Sequence, residues 1–189
     1  MKPLAKMVPL LALILAAPTL SAAVPTTRLE EFAFQGKPFM LEGSFARGQA
    51  DLFLRQERDA RCLSEGMGGE NLLLGVRFGA ANVYVFWLNH RQRSVRLAYH
   101  DLQRCRSRVL PLPGFSAFGP PEVVEEGGRP LALLFLGDRS GNLDLFHYEL
   151  SSGALTALTA TPYCEKGFTW KRDAAGLEFQ TRHLGGVVE

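Results

Sequence analysis

Six apolar residues in a row, Val83-Tyr-Val-Phe-Trp-Leu88, stand between turn-forming residues, and Leu131-Ala-Leu-Leu-Phe-Leu136 forms a second such run. Runs this short, rich in β-branched and aromatic residues, predict strands buried on both faces. Over residues 94–101 the pattern alternates instead. Val95, Leu97 and Tyr99 fall on one face, and Arg96, Ala98 and His100 on the other, which is the period of a strand. Leu143, Leu145, Phe146 and Tyr148 alternate less cleanly with Asp144, His147 and Glu149. After the N-terminal segment no amphipathic helix pattern is found. Gly and Pro recur at short intervals, as the turns of an all-β chain require.

The strand patterns recur. Val83–Leu102 matches Leu131–Leu150 without a gap at a spacing of 48: Arg91 meets Arg139, Leu97 meets Leu145, Asp101 meets Glu149 and Leu102 meets Leu150. A weaker copy runs from Phe39 to Leu54, where Gly48-Gln-Ala-Asp51-Leu-Phe53 matches Gly141-Asn-Leu-Asp144-Leu-Phe146, and a fourth begins at Trp170. Such periodicity is the mark of repeated supersecondary units.

Asp138-Arg-Ser-Gly-Asn142, Asp144-Leu-Phe146, Leu158-Thr159 and Trp170-x-x-Asp173-x-x-Gly176 together resemble the repeat of the TolB-like, WD40-like β-propellers. The resemblance is good over 130–183, fair over 71–112 and weak over 29–64. It departs where Lys171-Arg-Asp173-Ala-Ala-Gly176 stands in place of the family's Ser-Pro-Asp-Gly. It implies four-stranded antiparallel blades, with inner strands near 29–34, 71–77, 121–125 and 168–171 and next strands near 38–45, 82–88, 130–137 and 177–182. The chain holds three full copies and two further strands. The expected fold is therefore an all-β, antiparallel, propeller-like array of about four blade units, either incomplete or closed as a small ring. A β-sandwich or barrel is the alternative at this size. An open array leaves a sheet edge on which a second copy could pair, giving a homo-oligomer.

The N-terminus reads as an address. Lys2 and Lys6 precede the apolar run Val8–Ala17, and Ser21-Ala22-Ala23 offers small residues for cleavage. These are the parts of a secretory signal peptide, and the run falls short of the ~20 residues of a membrane span. The expectation is a signal peptide over 1–23, a single domain over 24–189, and an exported protein, periplasmic or extracellular, with no membrane span in the mature chain. Without Lys2 and Lys6, 21 basic residues become 19, equal to the 19 acidic ones. Net charge therefore gives no reason to expect nucleic acid as a partner. Export permits disulfides. Of Cys62, Cys105 and Cys164, the blade reading places Cys62 and Cys105 near the same turn of neighbouring units, which makes them the candidate pair. Their bridge would add about 4 kcal/mol in the chain-entropy account.

Chemistry-bearing motifs are thin. Asp138-x-Ser140-x-Asn142-x-Asp144, with Glu149 beyond, has the oxygen spacing of a calcium loop, but Leu143 occupies the position that needs Gly. A hairpin turn in which Asp138 bonds to local backbone is the simpler reading. Gly114-Phe-Ser116-Ala-Phe118 misses the nucleophile elbow by one residue and lies among Pro111, Pro113, Pro120 and Pro121, a stiff loop. His90, His100, His147 and His183 lack metal-ligand spacing. His100 and His147, near-equivalent in the repeat, read as strand-surface residues. No catalytic residue, metal or cofactor is assigned. Arginine is the remaining signal. Arg91, Arg93, Arg96, Arg104, Arg106 and Arg108 crowd one segment, and in an extended chain Arg104, Arg106 and Arg108 share a face. Such a stripe suits phosphate or carboxylate groups. The functional expectation is a non-enzymatic binding module that contacts a protein or an anionic envelope polymer. The alternative is a small hydrolase or carbohydrate-active enzyme whose carboxylates, among them Asp138, Asp144 and Glu122, converge in the fold.

Overall fold

A computed structural model describes residues 26–46, 48–139, 141–173 and 176–183. The expected signal peptide lies outside these residues. Three antiparallel meanders of four strands follow one another. The first comprises β1 (Thr26–Phe34), β2 (Lys37–Ala46), β3 (Gln49–Gln56) and β4 (Asp59–Cys62). The second comprises β5 (Glu70–Phe78), β6 (Val83–Arg91), β7 (Ser94–Asp101) and β8 (Arg106–Val109). A short strand, β9 (Ala117–Phe118), then lies against the third meander, which comprises β10 (Glu122–Glu126), β11 (Arg129–Asp138), β12 (Leu143–Glu149) and β13 (Leu155–Ala157). A hairpin of β14 (Glu165–Asp173) and β15 (Gly176–His183) completes the order. The expected all-β antiparallel array is thus present, and each expected inner strand falls within or beside an observed one.

Pairing registers agree between meanders. Tyr84 faces Asp101 across β6 and β7, and Ala132 faces Glu149 across β11 and β12, each residue displaced by 48. The same displacement relates Ala98–Val109 to Phe146–Ala157 on the next pair of strands. In the first meander Leu41 faces Leu54, which corresponds to Leu134 facing His147.

The meanders stack face to face, and this explains the continuous apolar runs. Side chains alternate across a strand. Val83, Val85 and Trp87 of β6 pack with Leu41, Leu52 and Leu54 of the first meander. Tyr84 and Phe86 turn the other way, onto Leu133, Phe135, Phe146 and Tyr148 of the third. The far face of the third meander (Val124, Ala132, Leu134) takes Phe168, Trp170 and Leu177 of the terminal hairpin. Among the described residues β1 pairs only with β2 and β15 only with β14, so no strand pairing joins the two ends of the array and no closed barrel forms.

Gly69 joins the first two meanders. Its carbonyl accepts a hydrogen bond from Ala50 N at 3.2 Å, and Ala50 and Glu70 make the single parallel pairing between them. Its φ is +76°, and a Cβ there would lie 2.1 Å from the backbone oxygen of His90. Gly69→Ala should therefore cost about 3 kcal/mol or more in urea unfolding, since strain and a backbone clash act together. Gly48→Ala, at φ +73° with open space around it, should cost only about 1 kcal/mol. Equal effects would show that the junction is not tight.

Candidate functional site

β7 separates two clefts because its alternate side chains serve different neighbours. Cross-strand partners share a face. Tyr99 is paired with Arg108 and Asp101 with Arg106, and all four look towards the third meander. Together with Arg104, Pro130, Leu150 and Ser151 they line a groove of about 310 Å³.

The arginines in this groove are held differently. Arg104 lies in the β7–β8 turn, and its Nη1 contacts Asp101 Oδ2 at 2.7 Å. Asp101 is buried, which pushes its pKa up. Hydrogen bonds from Arg104 N (2.9 Å), Asn82 Nδ2 (2.8 Å) and the Arg104 guanidinium outweigh that, and its carboxyl stays below the ordinary range. Asp101 is thus a charged anchor for the turn, and Arg104 is its partner. Arg106 and Arg108 are exposed on alternate positions of β8, and among the described residues neither has an ion-pair partner. Burial raises the pKa of the Tyr99 phenol more than Arg108 lowers it, so the hydroxyl remains a hydrogen-bond donor.

The other three arginines belong elsewhere. Arg91 and Arg93 are exposed at the β6–β7 turn, at the opposite end of β7, about 20 Å away at strand rise. Arg96 donates from Nε to Asn89 Oδ1 at 3.0 Å. Asn89 in turn bonds Gly68 O and Asn71, and Asn71 bonds Ala50 O. Arg96 therefore closes a buried amide network between the first two meanders. The six arginines thus fall in three places: Arg104, Arg106 and Arg108 line the groove, Arg91 and Arg93 sit at the β6–β7 turn, and Arg96 serves the amide network.

Other sequence candidates are held locally. Asp138 Oδ1 accepts from Gly141 N at 2.8 Å, and its Oδ2 accepts from Ser116 Oγ at 2.8 Å. Asp144 takes Thr159 Oγ1 and Thr161 N, and Glu122 pairs with Arg77 at 2.9 Å. Asp138 faces Leu143 across the strands, so Asp144 points to the opposite side of the sheet. The structure does not bring these carboxylates together. Among the described residues no cluster of three or more His, Cys, Asp or Glu could hold a metal.

Two expectations need correction. Cys62, Cys105 and Cys164 are free, so the candidate bridge between Cys62 and Cys105 is not formed. The Cys62 thiol lies 3.7 Å from Ser64 Oγ, while Cys105 is exposed in the turn. Cys62 ends β4, opposite Phe53, whereas Cys105 sits in the turn before β8, so the two do not occupy matching places in neighbouring units. His100 is not a surface residue. It is completely buried, with Nδ1 3.0 Å from Ser107 Oγ and Nε2 without a partner. Sequence reasoning also missed the buried contact of Glu165 with His183 at 2.8 Å, which ties the ends of β14 and β15.

No helix among the described residues is long and apolar enough to cross a membrane. No protein-family profile matches the chain, and no curated protein matches it. Among solved structures it is similar to TolB from Acinetobacter baumannii, with 12% identity and a TM-score of 0.52, over 86% of this chain and 42% of that one. The chain thus spans less than half the length of the structure it matches. At this identity the likeness is one of fold: a distant, TolB-like arrangement of β-meanders.

Proposed function

We propose that this is an exported, non-enzymatic binding module that holds an anionic group of a protein or envelope polymer in the groove between the second and third meanders. The observation that carries the reading is the pair Arg106 and Arg108, exposed side by side with no carboxylate partner among the described residues, beside the buried Tyr99. Two guanidinium forks on one face suit carboxylate or phosphate bidentately. Export rests on the Lys2, Lys6 and Ala23 signal pattern. The TolB-like fold is compatible with a protein-contacting role. The outer edges of β1 and β15, unpaired among the described residues, support a second mode of contact, with another copy of the chain.

The test is retention on a phosphate-bearing column across a salt gradient. Arg106→Ser with Arg108→Ser should elute at clearly lower salt than the parent, because exposed charge contacts are screened within about 10 Å at 0.1 M. Arg104 stays in place in this variant, since it supports the turn through Asp101. Arg91→Ser with Arg93→Ser is the charge-matched control. Equal loss in both variants, or no loss in the first, would remove the groove as the contact.

A further inference from the structure

The other face of β7 borders a second cleft, at the corresponding place between the first and second meanders. Its outer strand carries an arginine at the matching pairing position: Arg61 faces Leu54 as Arg108 faces Tyr99. The two clefts differ in what fills them. Between the second and third meanders the aromatic Tyr99 contributes to the core, and Tyr148 is buried opposite. Between the first and second, Leu54 stands in the Tyr99 position and His100 in the Tyr148 position. This cleft holds a cavity of about 330 Å³, at the small end of the range for ligand sites, about 300–1,000 Å³.

The lining is amphipathic. Phe34, Phe39 and Leu54 provide apolar wall, while Lys37 and Arg61 stand against a single carboxylate, Asp59. His100 lines it as well, and its ring has one nitrogen committed and one free. Ser107 Oγ lies 3.0 Å from Nδ1, and Nε2 is buried without a partner. A buried polar atom left unpaired costs about 1–3 kcal/mol, so an arriving acceptor would recover that cost. We take Ser107 Oγ as the donor to Nδ1, which puts the proton of the neutral imidazole on Nε2 and makes it a donor there.

We propose that this cavity binds a small amphipathic carboxylate, its hydrocarbon body against Phe34, Phe39 and Leu54 and its carboxylate towards Arg61 and the His100 Nε2–H. The site is separate from the arginine groove and does not depend on it. A carboxylate head satisfies both the guanidinium and the orphaned N–H. An amine would meet two cations against the one carboxylate of Asp59, and an alcohol would forgo the ion pair.

Calorimetric titration of the purified protein with octanoate, octan-1-ol and octylamine tests this. Octanoate should bind best and octylamine not at all. Arg61 is exposed, so Arg61→Ala should fold, and it should weaken octanoate at least about tenfold through loss of a charge-assisted hydrogen bond. The ¹⁵N resonance of His100 Nε2 should move on adding octanoate. The Arg106→Ser, Arg108→Ser variant should bind octanoate as the parent does. Equal binding of octanol and octanoate, an unmoved His100 resonance, or full affinity in Arg61→Ala would each overturn the proposal. So would loss of octanoate binding in the Arg106/Arg108 variant.

Discussion

Phe86→Ala and Trp87→Ala should each destabilise the protein by about 3–5 kcal/mol, although the two residues are neighbours that point in opposite directions. Phe86 packs in the core shared with the third meander, and Trp87 in the core shared with the first. Both side chains are 1% exposed or less. In a fold of two layers one face of β6 would meet solvent, and one of the two truncations would be nearly silent. In a stack of meanders neither face is free. Urea unfolding of the two variants therefore separates the architectures directly. Trp87→Phe supplies a control on size. The indole Nε1 has no hydrogen-bond partner, so replacing it removes an unsatisfied donor along with some volume and should cost far less than Trp87→Ala. A small loss for either alanine variant would contradict the stacking.

Stacking also explains which parts of the molecule could be read from the sequence. Val83–Leu88 and Leu131–Leu136 are unbroken apolar runs because each strand is covered on both sides, and such runs need no partner to be recognised. The 48-residue spacing carried the pairing register as well, because a hairpin of fixed length sets which residues face each other. The segment Leu110–Phe118 was harder. Its prolines mark a loop, yet Leu110, Leu112, Phe115 and Phe118 all enter the core, and β9 extends the third sheet. Turn chemistry reports backbone shape and says little about where a loop's side chains go.

The same limit applies to the candidate sites. Alternation along β7 was legible, but whether its Arg96, Ala98 and His100 face met solvent or another sheet depended on packing at long range. Leu102, following on that face, was the only local hint that it is covered. The grouping of the arginines also turned on partners distant in sequence, since Asn89 takes Arg96 and Asp101 takes Arg104. The cysteine pairing failed for a related reason. Pairing aligns Arg61 with Arg108, so Cys62 answers to Val109 at the far end of β8, whereas Cys105 lies in the turn before it, an offset of the outer strands that the inner-strand repeat does not reveal.

The buried His100 predicts a loss of stability in mild acid. Burial pushes its pKa down from 6.5 to about 4, with Arg61 adding to the effect and Asp101 opposing it. Ser107 Oγ, its one hydrogen-bond neighbour, carries no charge in this range. The unfolded chain therefore takes up a proton near pH 6.5 that the folded protein refuses until about pH 4. Where the unfolded state binds more protons, stability falls as pH falls. The loss should begin below pH 7, reach about 2 kcal/mol by pH 5 and about 3 kcal/mol by pH 4, and level off below that. Urea unfolding at a series of pH values measures it. His100→Phe keeps an aromatic ring at the position and removes the titration, so its stability should fall less steeply between pH 7 and pH 4 than the parent's. Parallel curves for the two proteins would mean that His100 charges as readily in the fold as outside it, which would contradict its complete burial against β4 and β8.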